Sequence, residues 1–226
     1  MTFSLTARCK DTGMFGMVIS SSSPAVAARC VHLRAKAGAV ASQNITDPAL
    51  GQIGLDLLAR GLSANEVRDA LVASTPFIAY RQLALVDAVG RVASHSGSNT
   101  LGIHAIRPGD GVIAAGNLLA NDQVPAAMVQ GYQANAEKPF AMRLMAALRA
   151  GLDQGGEAGP VRSAGLCMVR DLSWPVVDLR VDWSDRPIAA LEETWSIYQP
   201  QVEDYVRRAS NPSAAPGFGV AGESQI

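Results

Sequence analysis

Only three cysteines (Cys9, Cys30 and Cys167) and three histidines (His32, His95 and His104) occur in the 226 residues of this chain. The cysteines are odd in number and far apart in a chain large enough to fold without covalent staples. They read as reduced, mostly buried thiols. No pair of them has metal-ligand spacing, and the histidines form neither H-x-x-x-H nor H-E-x-x-H, so no metal site is expected. Charge is sparse as well: 17% of residues are charged and the formal net charge is −1. That balance leaves no electrostatic footprint for nucleic acid or an anionic membrane. No apolar run approaches the ~18 residues of a membrane span. Near the N-terminus, Thr6, Arg8, Lys10 and Asp11 interrupt any signal-peptide core. The expectation is a cytoplasmic protein with neither nucleic-acid nor membrane partners.

Familiar active-site signatures are missing too. There is no G-x-S-x-G and no G-x-x-x-x-G-K-[ST]. The one G-x-G-x-x-G match, Gly217 to Gly222, has no strand before it and no helix after it, so it carries no dinucleotide reading. Asp11-Thr12-Gly13 occurs once, whereas aspartic-protease chemistry needs two carboxylates; it reads as a turn.

What is present is 48% hydrophobic residues arranged in short alternating and helical stretches. A chain of this length buries roughly 70% of its unfolded surface. Phe3–Cys9 and Phe15–Ser20 read as a β-hairpin around Asp11-Thr12-Gly13. A short apolar segment follows, then a strand at Ala37–Gln43. Asp47-Pro48 is a strand-to-helix junction, with Asp47 able to cap and Pro48 tolerated at the first helical position. Leu50, Ile53, Leu57 and Leu58 recur at helical spacing until Gly61. Ser63 and Glu66 form a capping box that opens a second helix to about Ser74.

A β block comes next, at Arg81–Asp87, Arg91–His95, Leu101–Ile106 and Gly111–Ala115. Asn121 or Asp122 caps a helix to about Asn135, and Pro139 opens another that ends near Gly151. Arg162–Arg170 and Val176–Asp182 read as strands, and Asp185-Arg186-Pro187 starts a last helix to about Arg208. The Ser-, Pro-, Ala- and Gly-rich remainder reads as disordered. One domain over residues 1–208 and a tail over 209–226 are expected. Helical hairpins inserted among antiparallel strands predict an α+β fold, a four-layer α-β-β-α sandwich, rather than a parallel α/β fold.

The chemistry begins at Thr2. Removal of Met1 leaves a hydroxyl and a free α-amine on one residue, and an N-terminal amine is a competent base for its own hydroxyl. Its ordinary pKa of about 7.7–8.0 keeps a useful fraction neutral near pH 7. Ser20-Ser21-Ser22-Ser23 ends the partner strand, where Ser20 or Ser21 could meet that amine.

This element order, opened by a catalytic-type residue, resembles the N-terminal-nucleophile (Ntn) hydrolases and, more closely, the DUF1028 family. The stretches that carry the likeness are Thr2-Phe3-Ser4, Gly38-Ala39-Val40-Ala41-Ser42-Gln43, Gly54-Leu55-Asp56-Leu57-Leu58 with Gly61-Leu62-Ser63, Arg81-Gln82, Gly116-Asn117-Leu118-Leu119, and Val177-Asp178-Leu179-Arg180-Val181-Asp182. They span about residues 2–195. The resemblance implies Thr2 as nucleophile and base, with oxyanion donors from the Gln43-Asn44 turn and from Asn117, giving Thr2, Asn44 and Asn117 as catalytic candidates. Ser20, Ser21, Gln43, Arg81 and His95 are the substrate-binding candidates, Arg81 as a bidentate anchor for a carboxylate and His95 as an acid or base. Proteasome-type members use a buried lysine; here Lys36 is the nearest and reads as a solvated charge. Asp171-Leu172-Ser173-Trp174-Pro175 stands where many relatives carry a glycine-rich loop.

The expected activity is cleavage of a C–N (amide) bond in a small metabolite, with no cofactor, after Met1 removal. The alternative is a catalytically silent protein of the same fold that binds a small metabolite or a partner chain. A homo-oligomer, most simply a dimer, is expected.

Overall fold

The computed structural model describes residues 1–221 and 223. Its first two strands, β1 (Thr2–Arg8) and β2 (Phe15–Ser21), form the hairpin expected around Gly13. Gly13 sits at φ +72°, a conformation that costs glycine little, and its N–H donates to the Cys9 carbonyl at 2.9 Å. Four more strands extend the pair: β7 (Ala105–Gly109), β8 (Val112–Asn117), β9 (Ser163–Val169) and β10 (Val177–Val181). The six run in the order β10-β9-β2-β1-β8-β7, so β1 lies inside the sheet, between β2 and β8. A second sheet takes β3 (Val31–Arg34), β4 (Gly38–Asn44), β5 (Arg81–Asp87) and β6 (Val92–Ser96) in sequence order. Every pairing in both sheets is antiparallel.

The helices cover the outer faces. Against the four-stranded sheet lie α2 (Pro48–Ala59) and α3 (Ala64–Ser74), where Leu55, Leu58, Val67 and Leu71 meet Val40, Leu83 and Leu85. Against the six-stranded sheet lie α4 (Val124–Gln133), α5 (Phe140–Asp153) and α6 (Pro187–Tyr198), with Met128, Leu144, Leu148 and Leu191 packed on Phe3 and Leu5. Between the sheets Phe15, Met17, Ala39, Ala41, Ala84, Val86, Ile113 and Ala115 close a third apolar cluster. Each fully buried side chain of leucine size contributes about 1.5–3 kcal/mol, and the alanines leave little bulk between the sheets. The result is the expected α+β arrangement of two stacked antiparallel sheets with helices outside. Cys9, Cys30 and Cys167 are free and buried. Among the described residues no helix is long and apolar enough to cross a membrane.

The element boundaries depart from the sequence reading in four places. The apolar segment after Pro24 is a five-residue helix, α1 (Val26–Cys30), followed directly by β3. The strand expected at Leu101–Ile106 begins only at Ala105, because Gly102 at φ +59° breaks extension. Leu101 and Ile103 instead accept from the Leu118 and Leu119 N–H groups, each at 2.9 Å. α4 starts after Gln123, with Asn121 Oδ1 accepting from the Gln123 N–H at 3.0 Å ahead of the helix. The single helix expected to reach Arg208 is two, α6 and α7 (Val202–Ser210), parted by a 3-10 turn at Gln199–Gln201. Pro200 stands in that turn, has no N–H to continue the ladder, and its ring crowds the preceding turn.

The sequence predicts a disordered tail over residues 209–226, and α7 already covers its first two. Beyond it, Pro212–Ala214 forms a 3-10 turn, and Arg208 donates to the Pro216 and Gly217 carbonyls at 3.0 and 2.8 Å. Residues 222 and 224–226 lie outside those described.

Candidate functional site

Strand alternation gives β1 two chemistries. Phe3, Leu5 and Ala7 point into the helix-side core, and Thr2, Ser4 and Thr6 point toward the other sheet. Register then builds a polar row at the head of β1. Thr2 lies opposite Asn117 of β8, Phe3 opposite Ser20 of β2, and Ser21 opposite Ser163 of β9. On the facing sheet Gln43 lies opposite Gln82, and Gln82 opposite Ser96. The inter-sheet space is therefore apolar along most of its length and polar at one end.

The two polar rows are joined by hydrogen bonds. Ser4 Oγ donates to Gln43 Oε1 at 2.8 Å, and Gln43 Nε2 donates to Gln82 Oε1 at 2.8 Å. Gln82 Nε2 in turn donates to Ser96 Oγ at 3.0 Å and to the Gly116 carbonyl at 3.1 Å. Asn117 Nδ2 donates to Gln82 Oε1 at 3.1 Å. Gln43, Gln82 and Asn117 are all fully buried. Asn117 Oδ1 is buried with no partner. Leaving such an acceptor unmade costs about 1–3 kcal/mol, so its position opposite Thr2 calls for a reason.

Thr2 itself is 5% exposed. Its hydroxyl and that of Ser21 both donate to the Met1 carbonyl. Ser21 Oγ accepts from the Ser23 N–H at 3.0 Å. Behind this pair stands Glu157, 4% exposed, whose two carboxylate oxygens accept from the Ser22 N–H at 3.1 and 3.0 Å. Burial pushes the Glu157 carboxyl up to about 7, while the Ser22 hydrogen bonds and the N-terminal charge pull it down. Pairing of Glu157 with Leu119, and an Ala158 N–H bond to the Leu118 carbonyl at 3.0 Å, fix this loop to the residues that follow Asn117.

Of the sequence candidates, Thr2, Ser21, Gln43 and Asn117 come together here. Ser20 alternates to the other face of β2 and donates to the Ser163 carbonyl at 2.8 Å. Asn44, at φ +75°, spends its amide on the loops: Nδ2 donates to the Tyr80 carbonyl at 2.6 Å and Oδ1 accepts from the Leu101 N–H at 3.2 Å. Arg81 donates to the Ile45 carbonyl and lies 3.9 Å from Asp47, holding the β4–α2 connection. His95 lies opposite Leu83, on the helix side of the sheet, with Nε2 3.3 Å from the Ile78 carbonyl. Lys36 is exposed in the turn before β4, at the end of that strand away from Gln43.

Sequence reasoning missed Ser4 and Gln82 as parts of the network, and Glu157. The first two had a signal: hydroxyl and amide side chains at alternate positions of strands otherwise made of small apolar residues. Glu157 had none beyond being an acid in a glycine-rich loop.

Met1, and Ile45, Tyr80 and Leu101 in the segments bonded to Asn44 and Arg81, are exposed apolar side chains. A cleft of about 610 Å³ between α5, the 155–161 loop and α6 reaches Glu157 from the other side. Among the described residues no group of three His, Cys, Asp or Glu could hold a metal ion.

A family model described as a family of unknown function (DUF1028) matches residues 2–191. Among solved structures, protein SPO2555 from Silicibacter pomeroyi, described as DUF1028, is 30% identical. It superposes with a TM-score of 0.84 over 92% of this chain and 94% of that one. Anbu (ancestral beta-subunit) from Yersinia bercovieri aligns over 96% of this chain and 100% of its own, with 11% identity and a TM-score of 0.38. No curated protein matches the chain.

Proposed function

The chain belongs to DUF1028, a family of unknown function, and we propose that it is an Ntn-type amidohydrolase that cleaves a C–N bond of a small metabolite through Thr2. Met1 is removed first. The observation that carries this reading is the orphaned Asn117 Oδ1, buried directly across from Thr2 in a network whose other amides are bonded. A freed α-ammonium has three N–H donors where a peptide nitrogen has one, and it would open the strand at the residue paired with Asn117, whose Oδ1 lacks a donor. Packing alone asks for no hydroxyl at this position.

The reaction then follows from the groups present. The neutral α-amine takes the Thr2 hydroxyl proton as Oγ1 attacks the amide carbon. The tetrahedral oxyanion collapses, the C–N bond breaks, and the amine passes its proton to the leaving nitrogen. Water, deprotonated by the same amine, cleaves the Thr2 ester and regenerates the site. The buried amides of Gln43, Gln82 and Asn117 hold the strand ends rigid, so that donors are set before charge develops. The exposed apolar side chains of Ile45, Tyr80 and Leu101 suit a substrate with an apolar group beside its amide.

A second reading has one observation behind it: the Met1 carbonyl accepts both hydroxyls, so the site is also closed with Met1 in place. In that case the protein binds a ligand without turning it over.

The test is an intact mass of the protein from its own cells, followed by a screen of small amides against wild type, Thr2→Ser and Thr2→Ala. The expected result is a chain without Met1, substantial turnover by Thr2→Ser, and a loss of about 10³-fold or more in Thr2→Ala. Full turnover by Thr2→Ala ends the nucleophile reading; retained Met1 with no turnover favours the binding protein.

A further inference from the structure

We infer that Glu157 holds the Thr2 α-amine in place and exchanges a proton with it, acting as a positioning residue of the site. This rests on the reading of Thr2 as the nucleophile and adds a residue that the sequence did not indicate. Three observations carry it.

The first is place. Glu157 is bonded to Ser22 and bridged to Leu119, the residues just beyond Ser21 and Asn117 on the two strands that flank Thr2. It therefore stands just past the ends of both strands that flank the head of β1. The second is under-coordination. An ionised carboxylate offers about four lone-pair sites, and among the described residues Ser22 supplies the hydrogen bonds Glu157 receives. Four other charged groups line the cleft it faces. Arg149 and Glu192 pair with each other, Asp185 pairs with Arg162, and Arg186 is exposed. None of them bonds Glu157, and the cation whose charge acts on it is the Met1 ammonium, a charge that passes to Thr2 once Met1 is removed. The third is proton affinity. Burial brings the carboxyl up to about 7, close to the ~7.7–8.0 of an ordinary α-amine.

Two groups of similar affinity in a buried site share a proton and titrate as a pair. With one proton between them, the pair is either ammonium and carboxylate or amine and carboxylic acid. The second form leaves the nitrogen lone pair free for the Thr2 hydroxyl proton, with no net change in charge. Glu157 is among the residues that line the cleft of about 610 Å³, where that proton would be exchanged with solvent.

The experiment uses Met1-free protein with isotope-labelled threonine, following the Thr2 α-amine by NMR from pH 5 to 10 in wild type, Glu157→Gln and Glu157→Asp. The rate of Thr2 acylation by a β-lactone is measured over the same pH range, with Thr2→Ala as control. Wild type and Glu157→Asp are expected to titrate in two linked steps. Glu157→Gln is expected to titrate in one, with the amine midpoint lower by about 1–3 units and the acylation profile shifted by the same amount. An unchanged midpoint in Glu157→Gln overturns the inference, and acylation of Thr2 in that case leaves the nucleophile reading standing. A shifted midpoint without any acylation in wild type supports the Glu157 link and removes the nucleophile.

Discussion

A buried carboxylate can be fully bonded or left with few donors, and Asp87 and Glu157 show the difference within one chain. Asp87 is 1% exposed and fully engaged. It accepts from the Ala64 N–H at 3.1 Å, the Val89 and Arg91 N–H groups at 3.0 Å, and Arg91 Nε at 2.7 Å. Burial alone would raise its pKa, but these bonds outweigh that and hold it below its ordinary 3.8. A depressed folded pKa means stability that is present above the unfolded value and lost as pH falls through the folded one. Asp87→Ala leaves the Ala64, Val89 and Arg91 donors without their acceptor. The expected loss is about 2–4 kcal/mol in urea unfolding at pH 7. Below pH 4 that loss should shrink, because the wild type is surrendering the same bonds.

At the scale of the element, α3 is held at its start by local capping chemistry as well as by the burial of Ala64 and Val67. The Ser63 side chain accepts from the Glu66 N–H, and the Glu66 carboxylate accepts from the Ser63 N–H at 2.8 Å, the reciprocal capping box read from the sequence. Asp87 adds a tertiary anchor to the same end through the Ala64 N–H. Ser63→Ala is expected to cost about 1 kcal/mol by chemical denaturation while amide turnover stays unchanged, because α3 lies on the outer face of the second sheet, away from Thr2. A fall in turnover matching that of a site variant would show that α3 reaches the head of β1.

For the whole molecule, two buried groups push stability in opposite directions between about pH 4.5 and 7. Glu157, raised to about 7, binds protons more readily folded than unfolded, so its contribution is full below 4.5 and lost as pH rises toward 7. His32, 6% exposed, is lowered by burial despite the Arg29 carbonyl beside it, so its contribution is lost as pH falls below 6.5. Glu157→Gln removes the first and leaves the second. Relative to wild type, this variant is expected to gain up to about 3 kcal/mol between pH 5 and pH 8, read from unfolding curves at each pH. Equal pH slopes in the two proteins would place the Glu157 carboxyl in an ordinary solvated setting.

How much of this the chain announces follows from the range of the forces involved. Short-range features were legible in residues alone. Asp47 and Pro48 at the start of α2, the capping box of α3, the Gly13 turn and the alternation of β1 each depend on neighbours a few positions away. The order of strands and helical hairpins followed from those, and with it the α+β class and the stacking of two antiparallel sheets. Thr2 was legible as a candidate because the hydroxyl and the amine proposed to react sit on a single residue.

What only tertiary structure decided is which polar groups share the buried end of the inter-sheet space. Ser4 and Gln43 are 39 positions apart, Asn117 and Gln82 are 35 apart, and Ser22 and Glu157 are 135 apart. Stacking of the two sheets brings the first two pairs together and the loop at Glu157 brings the third; a one-residue slip of β1 or β8 would turn Ser4 or Asn117 to the opposite face. Asn44, Arg81 and His95 look as reactive as Asn117 in sequence. They face loops or helices because they alternate with Gln43, Gln82 and Ser96 along their strands.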